Sequence, residues 1–517
     1  MLRGKSLFLE GSLNLCLRLS AIFLYFDGEK IYALFTLLLR SIFLYFFDLY
    51  SDVNNMNMPL YHPASSSTNT LYLESKDADQ FLLEVDQYLK QYPATEHIDI
   101  CLHDLNGHLR GKRIDIKSLK NLSKGCYFPL SIYAMSLEGK VIEESGLGKY
   151  IGEPDQLCLP ILGSLRPCAN QSEKHAQLYL SMKSDNGADC EFEPRNILKR
   201  ILLSLNQMNY FPVMAGEIEF YLCTQPSHPE HKAEQTQCFD VDAPNRYQTV
   251  LENIEIEAKK QNIQITAIVA ESSSGQFEIN LQHRADILKL CDEIMAIKRI
   301  VKQSANIHGL NASFMAKPNM SSAGSGLHFH MSLLNQFQQN ICATDELKKP
   351  NQRMGQVIAG LLQLMPASMA ILAPNINSFR RFQFAHHVPL EANWGVNNRN
   401  VAIRLPCADP ENCRLEYRVA GADANPYLCI SVILIGVLHG LTHDALQLPK
   451  ASHEMKAHDA RTLLPNHQLE ALKRFEKNAV LKQYLGADFM QLWVACKKYE
   501  YQLVSNTITD LELQWGL

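Results

Sequence analysis

An α+β fold in two unequal parts is predicted from three observations. Between His97 and Met182, short apolar runs are separated by Gly, Pro and Asn turns, the pattern of a small mixed sheet. At Phe192-Glu193-Pro194-Arg195 a proline at a first helical turn opens an apolar-periodic stretch through Leu205, which marks a boundary. Beyond it, strand-like segments bearing acids and bases alternate with helices such as Asp286 to Ala305 and Asn351 to Leu364.

Taken in order, residues 1–57 stand apart. The run from Ile31 to Phe47 is apolar but carries Arg40 near its centre, is short for a membrane span, and lacks a small-residue cleavage site. It reads as an over-extended start, with initiation near Met56 or Met58, and otherwise as a peripheral membrane anchor. Residues 58–75 form a polar, Ser-rich linker. Phe81, Leu82, Val85, Tyr88 and Leu89 recur at helical spacing and predict an amphipathic helix from Ala78 to Tyr92. Strands are predicted at His97 to Leu102, Tyr127 to Ala134, Leu157 to Ile161 and Leu178 to Met182, and no repeat at solenoid period interrupts the chain.

A chain of 517 residues with 46% hydrophobic content buries a large core. Its net charge of -5 and pI near 6.4 offer no basic field for nucleic acid. The 14 cysteines include no Cys-x-x-Cys, which argues for reduced thiols in a cytoplasmic protein.

The chemistry lies in a few strand-like segments. Side chains alternate along a strand, so Glu217 and Glu219 share a face in Gly-Glu-Ile-Glu-Phe, as do His328 and His330 in Gly-Leu-His-Phe-His. Glu271 and Glu278 follow in Glu-Ser-Ser-Ser-Gly-Gln-Phe-Glu. Arg414, Glu416 and Arg418 share a face opposite Leu415 and Tyr417. Singly, each pair reads as a solvated strand edge. Set together among Phe, Ile, Leu and Gly, they describe a charged face that is costly to bury without a cation. Carboxylates with one or two imidazoles suit Mg²⁺ or Mn²⁺ better than zinc. Arg380, Arg381, Arg399 and Arg404 add guanidinium forks suited to phosphate and carboxylate oxygens. Divalent metal with arginines describes phosphoryl transfer. Gly107-His-Leu-Arg-Gly-Lys-Arg113 approaches a P-loop, but it is a residue short and ends in Arg where magnesium needs Ser or Thr.

Gly-Glu-Ile-Glu-Phe-Tyr, Gly-Gln-Phe-Glu-Ile-Asn, Gly-Ser-Gly-Leu-His-Phe-His, Asn-Ser-Phe-Arg-Arg-Phe and Arg-Leu-Glu-Tyr-Arg-Val-Ala-Gly-Ala-Asp-Ala-Asn-Pro-Tyr resemble the glutamine synthetase family in order and spacing, from about His97 to near Leu517. Within it, Asp104-Leu-Asn-Gly-His-Leu-Arg-Gly-Lys-Arg, Gly125-Cys-Tyr-Phe-Pro and Trp394-Gly-Val-Asn-Asn-Arg are similar to the γ-glutamylpolyamine branch. The resemblance implies a β-grasp domain over residues 76–189 and a catalytic domain over 190–517, whose curved antiparallel sheet is flanked by helices. It implies double hexameric rings with active sites shared between subunits.

By the same resemblance, Glu219, Glu271 and Glu278 hold one metal, and Glu217, His328 and Glu416 a second. Gly324, Arg381 and Arg418 contact glutamate; His330, Ser332, Arg399 and Arg404 contact ATP. The implied reaction joins the γ-carboxylate of L-glutamate to an amine through a γ-glutamyl phosphate, with Arg399 and Arg381 assisting. The family places a carboxylate for ammonium six residues after Arg381, and here that residue is His387. Without the anion an alkyl amine such as putrescine is favoured over ammonia, its methylenes lying along Phe384 and Trp394. His387, Glu143 and Glu144 are the candidate bases. The alternatives are a glutamine synthetase using ammonia and a catalytically silent structural or regulatory relative.

Overall fold

The computed structural model describes residues 75–224, 237–343, 349–382, 388–406, 408–409, 412–452 and 462–515. The N-terminal extension, nearly all of the linker, and Phe384 and His387 lie outside them.

In chain order the elements are α1 (Ser75–Gln91), β1 (His97–His103), β2 (Leu109–Asp115), β3 (Cys126–Pro129), β4 (Asp155–Pro160), β5 (Arg166–Pro167), β6 (His175–Met182), α2 (Pro194–Gln207) and β7 (Tyr210–Cys223). Next come α3 (Gln248–Lys260), β8 (Ile265–Ala270), β9 (Gln276–Leu281), α4 (Ile287–Ile307), β10 (Asn311–Ser313), β11 (Leu327–Asn335), α5 (Gln352–Leu372), α6 (Ile376–Arg380), β12 (Trp394–Val396), β13 (Ile403–Leu405) and β14 (Leu415–Tyr417). The chain closes with α7 (Pro426–Thr442), α8 (Gln468–Glu476), α9 (Ala479–Leu485), α10 (Ala487–Ser505) and α11 (Asp510–Gln514).

The strands form two sheets. The first runs β2-β1-β6-β4-β3 with β5 on β6, and its β1–β6 pair is parallel while the rest are antiparallel. The second runs β12-β13-β14-β11-β7-β9-β8 with β10 on β7, antiparallel except for β12–β13. Its non-polar face, including Ile218, Phe220, Phe277, Ile279, Phe329 and Tyr417, is buried in the core.

Two expectations are corrected. The strand predicted at Tyr127 to Ala134 stops at Pro129, and Leu130–Ala134 turns into a 3-10 helix. Pro129 has no N–H for a ladder, and the Leu130 N–H bonds the Pro154 carbonyl instead. The helix predicted to end at Leu364 continues through Pro366 to Leu372. Its apolar surface is wrapped by the rest of the fold: this helix is long and apolar enough to span a bilayer, yet 89% of that stretch is buried.

The close packing of α5 on α7 depends on glycine. A Cβ at Gly360 would fall on the Gly436 carbonyl and the Gly440 backbone, and one at Gly440 on the Gln356 carbonyl. Gly360→Leu is therefore expected to cost about 1–3 kcal/mol by overpacking and to lower the thermal midpoint by a few degrees in differential scanning calorimetry.

Glu193 ties the first sheet to α2. Its carboxylate accepts from the Met182 N–H at 2.7 Å and from the Tyr133 and Ser181 hydroxyls, each at 3.2 Å. Burial pushes this carboxyl up to about 7, against those hydrogen bonds. A carboxyl that ionises later folded than unfolded makes stability fall as pH climbs from about 4.5 to about 7. Calorimetry of Glu193→Gln should find the variant's midpoint above the wild type's at pH ~8, with that gap closing by pH ~4.5.

Candidate active site

Strand register builds the site. β7 pairs with β11 so that Glu217 faces His328, and β11 pairs with β14 so that His330 faces Glu416. β7 pairs with β9 so that Glu219 faces Glu278, and β13 pairs with β14 so that Arg404 faces Glu416. Directly opposed residues point to one face, so these charges form a row across five strands while their sequence neighbours enter the core.

On this face, two groups of donor atoms come within 4.8 Å of one another: Glu217, His328 and Glu416, and Glu219, Glu278 and His328. Glu271, on the loop after β8, is not in either group. It lies close enough to Glu219 that their charges interact, with Arg399 pulling the other way.

The carboxylates crowd one another. Burial, then the charges of Glu217, Glu219 and Glu271, push Glu278 up to about 9, while burial and Glu219 push Glu271 up to about 7. Burial acts on Glu217 and Glu416 too, but it is outweighed and both are lowered: Glu217 by His328 and His330, Glu416 by Arg418, the two histidines and Arg404. This split describes a face with more negative charge than its own residues neutralise around Glu278. A divalent cation fits that oxygen-rich donor set.

The surrounding side chains are held in place. Glu219 accepts from the Gly326 N–H at 2.9 Å and from Gln276 Nε2 at 3.3 Å. His330 Nδ1 accepts from Arg414 Nε at 3.2 Å, so the ring proton sits on Nε2 and bonds Glu217 at 2.9 Å. Glu416 is held by Arg404 at 2.8 Å and by Arg418 Nη1. The Nε atoms of Arg404 and Arg418 are buried without a partner among the described residues, two donors available to an anion. A cavity of about 550 Å³ opens beside Glu217, bounded also by His330, Ser332, Asn280 and Arg414.

Arg381 is 4% exposed, and its guanidinium donates to the Val419 and Ala420 carbonyls at 2.9 and 3.0 Å. Gly324 and Gly326 permit this approach: a Cβ at Gly324 would meet Arg381 Cγ at 2.8 Å, and one at Gly326 would meet Arg381 Nη2 and His328 Nε2 at 2.7 Å. Ser332 donates to the Cys413 carbonyl at 3.1 Å. Arg399 is exposed, with Phe239 5.8 Å from its guanidinium.

Trp394 is 5% exposed, with its indole N–H on the Pro449 carbonyl at 2.8 Å; Phe384, expected to face the amine with it, lies outside the described residues. His387 lies outside the described residues. Glu143 and Glu144 sit on an exposed 3-10 turn, where Glu143 accepts from the Lys149 N–H. Sequence reasoning did not assign Arg414 or Gln276 to the site. Both stand inside the quoted motifs, and alternation already placed Arg414 on the face of Glu416.

Fold and site together define a class: an α+β enzyme whose sheet face gathers carboxylates, imidazoles and arginines around a cation-binding centre. The chain belongs to the glutamine synthetase family, for residues 191–516 match the model described as glutamine synthetase, catalytic domain. It is 44% identical over 456 residues to the gamma-glutamylputrescine synthetase PuuA of Escherichia coli (strain K12), covering 86% of this chain and 96% of that one. It is 26% identical to a glutamate–isopropylamine ligase of Pseudomonas sp, over 85% of this chain and 98% of that one. A solved structure described as a GmaS/ADP complex superposes with a TM-score of 0.72 at 24% identity, over 83% of this chain and 98% of that one, a likeness of fold.

Repulsion among the acids carries a signed expectation. Glu278→Gln should raise the thermal midpoint of the metal-free protein and diminish the rise that Mg²⁺ or Mn²⁺ produces, which reaches about 2.7 kcal/mol at a hundred times Kd. Scanning fluorimetry with and without metal reads both.

Proposed function

We propose that this protein joins the γ-carboxylate of L-glutamate to an amine, putrescine or a similar alkyl amine, converting ATP to ADP and phosphate. The observation that carries it is the charged row across the second sheet, in which two acid–imidazole groups adjoin the buried Nε donors of Arg404 and Arg418, which have no partner among the described residues. The names of the two relatives above point to glutamate–amine ligation.

Glu217, His328 and Glu416 would hold one Mg²⁺ or Mn²⁺, and Glu219, Glu278 and Glu271 another. Such cations neutralise phosphate charge during transfer. Arg404, Arg399, His330 and Ser332 bind the nucleotide's phosphate end beside the cavity at Glu217, with Arg414 fixing the His330 ring. Arg418 and the backbone at Gly324 orient glutamate, and Arg381 holds the Val419–Ala420 backbone that positions Arg418. A γ-carboxylate oxygen attacks the γ-phosphorus, the bond to the bridging oxygen breaks, and ADP leaves. The amine's lone pair then attacks the acyl carbonyl, phosphate departs, and the amine's proton passes to a base for which His387 is the candidate.

The two sheets support a division into a β-grasp domain over 76–189 and a catalytic domain over 190–517. We assign a homo-oligomer, a double hexameric ring with active sites shared between subunits, on the family membership, and the exposure of Arg399 accords with it. Free cysteines throughout the described residues accord with the cytoplasm.

A phosphate-release assay with glutamate, ATP and Mg²⁺ tests the reading. Putrescine or another alkyl amine should support faster turnover than ammonium, and the opposite order would assign glutamine synthesis. Glu217→Ala should abolish turnover while the oligomer persists in light scattering. Wild-type turnover in that variant would remove the metal assignment.

A further inference from the structure

A second cavity, of about 1070 Å³, lies away from the acid row, between the β1–β2 hairpin, α4, β10 and α6. None of the carboxylates or imidazoles of the charged row lines it. Its wall includes Gly107 to Arg113, the near P-loop for which the proposed reaction has no use.

Its charge is one-sided once internal pairs are removed. Arg110 is held by Asp104 at 2.8 Å, Arg113 and Arg299 share Asp99 at 2.9 and 2.6 Å, and Glu500 is held by Lys497 at 2.8 Å. Lys112, Lys298, Lys302 and Arg380 remain, and none makes an ion pair within 4 Å among the described residues. Asp423 is the one acid left facing these four cations: Asn375 and Ser378 donate to its Oδ2 at 2.8 and 2.7 Å, its Oδ1 has no hydrogen-bond partner among the described residues, and Lys298, which feels its charge, donates to the Ala424 carbonyl at 3.0 Å.

Lys298 and Lys302 are one turn apart on α4, and both ammonium groups sit over the Phe314 ring, at 5.9 and 5.8 Å. Like charges at that spacing repel. One ring attracts both cations but neutralises neither. An anion between them, within reach of Arg380, removes the repulsion.

We infer that this cleft is a second ligand site, for a small polyanion bearing carboxylate or phosphate groups. Two chemical sources fit those cations, and separate probes distinguish them: citrate for carboxylates and inorganic pyrophosphate for phosphates.

Each probe is titrated into the full-length, metal-free protein by isothermal calorimetry. One site per chain is expected for at least one probe, weakened about tenfold or more by Lys302→Glu and by Lys112→Glu, and unchanged in Glu278→Gln. Both lysines are exposed, so these variants fold, which circular dichroism checks. Three results overturn the inference: neither probe binds below ~10 mM, a range where affinity is weaker than about -3 kcal/mol; binding survives both lysine variants; or it vanishes in Glu278→Gln. If Lys302→Glu dissociates the oligomer in light scattering without altering probe binding, the cleft is a subunit contact and the inference also fails.

Discussion

The pairing of β7 with both β9 and β11 is the constraint on which the site depends. Glu217 and Glu219 each meet a cross-strand partner because the register sets Glu217 against His328 and Glu219 against Glu278. A slip of one residue would turn those carboxylates into the core and bring Ile218 and Phe220 out to solvent. The apolar half of the strand therefore enforces the position of the charged half. The hydrophobic side makes the register expensive to change, and the charged side exploits it.

Arginine sets the balance on that face. Around Glu416, Arg404 and Arg418 keep the carboxylate ionised despite burial. Around Glu278, burial and the neighbouring acids push its carboxyl up. One face thus offers an anionic pocket suited to cations beside guanidinium groups suited to anions, the separation that a metal–phosphate substrate requires. Arg381 does a different job, clamping the backbone after β14 through two carbonyls.

Much of this was legible in the residues. Alternation alone placed Glu217 with Glu219, His328 with His330, and Arg414 with Glu416 on common faces, and the Pro194 signal located α2 to within a residue or two. What local pattern does not carry is which strands pair, so the convergence of Glu217 and Glu278 came from motif order rather than from periodicity. Pro129 ended a strand that apolar content favoured, and Pro366 failed to end a helix that burial sustained. Arg414 was visible on the right face, but its service to His330 depends on a cross-strand approach that no single segment encodes.

The first hairpin is fastened by the far end of the chain. Asn106, at the turn between β1 and β2, bonds Lys497 and Glu500 of α10, and Glu500 also accepts from the Leu137 N–H; Asn106 and Lys497 are 391 residues apart. A ribosome delivers the hairpin long before α10 exists. Through most of synthesis that turn waits without its anchor, which exists only once α10 has emerged, so a fastening of the first hairpin is among the last contacts the chain can complete.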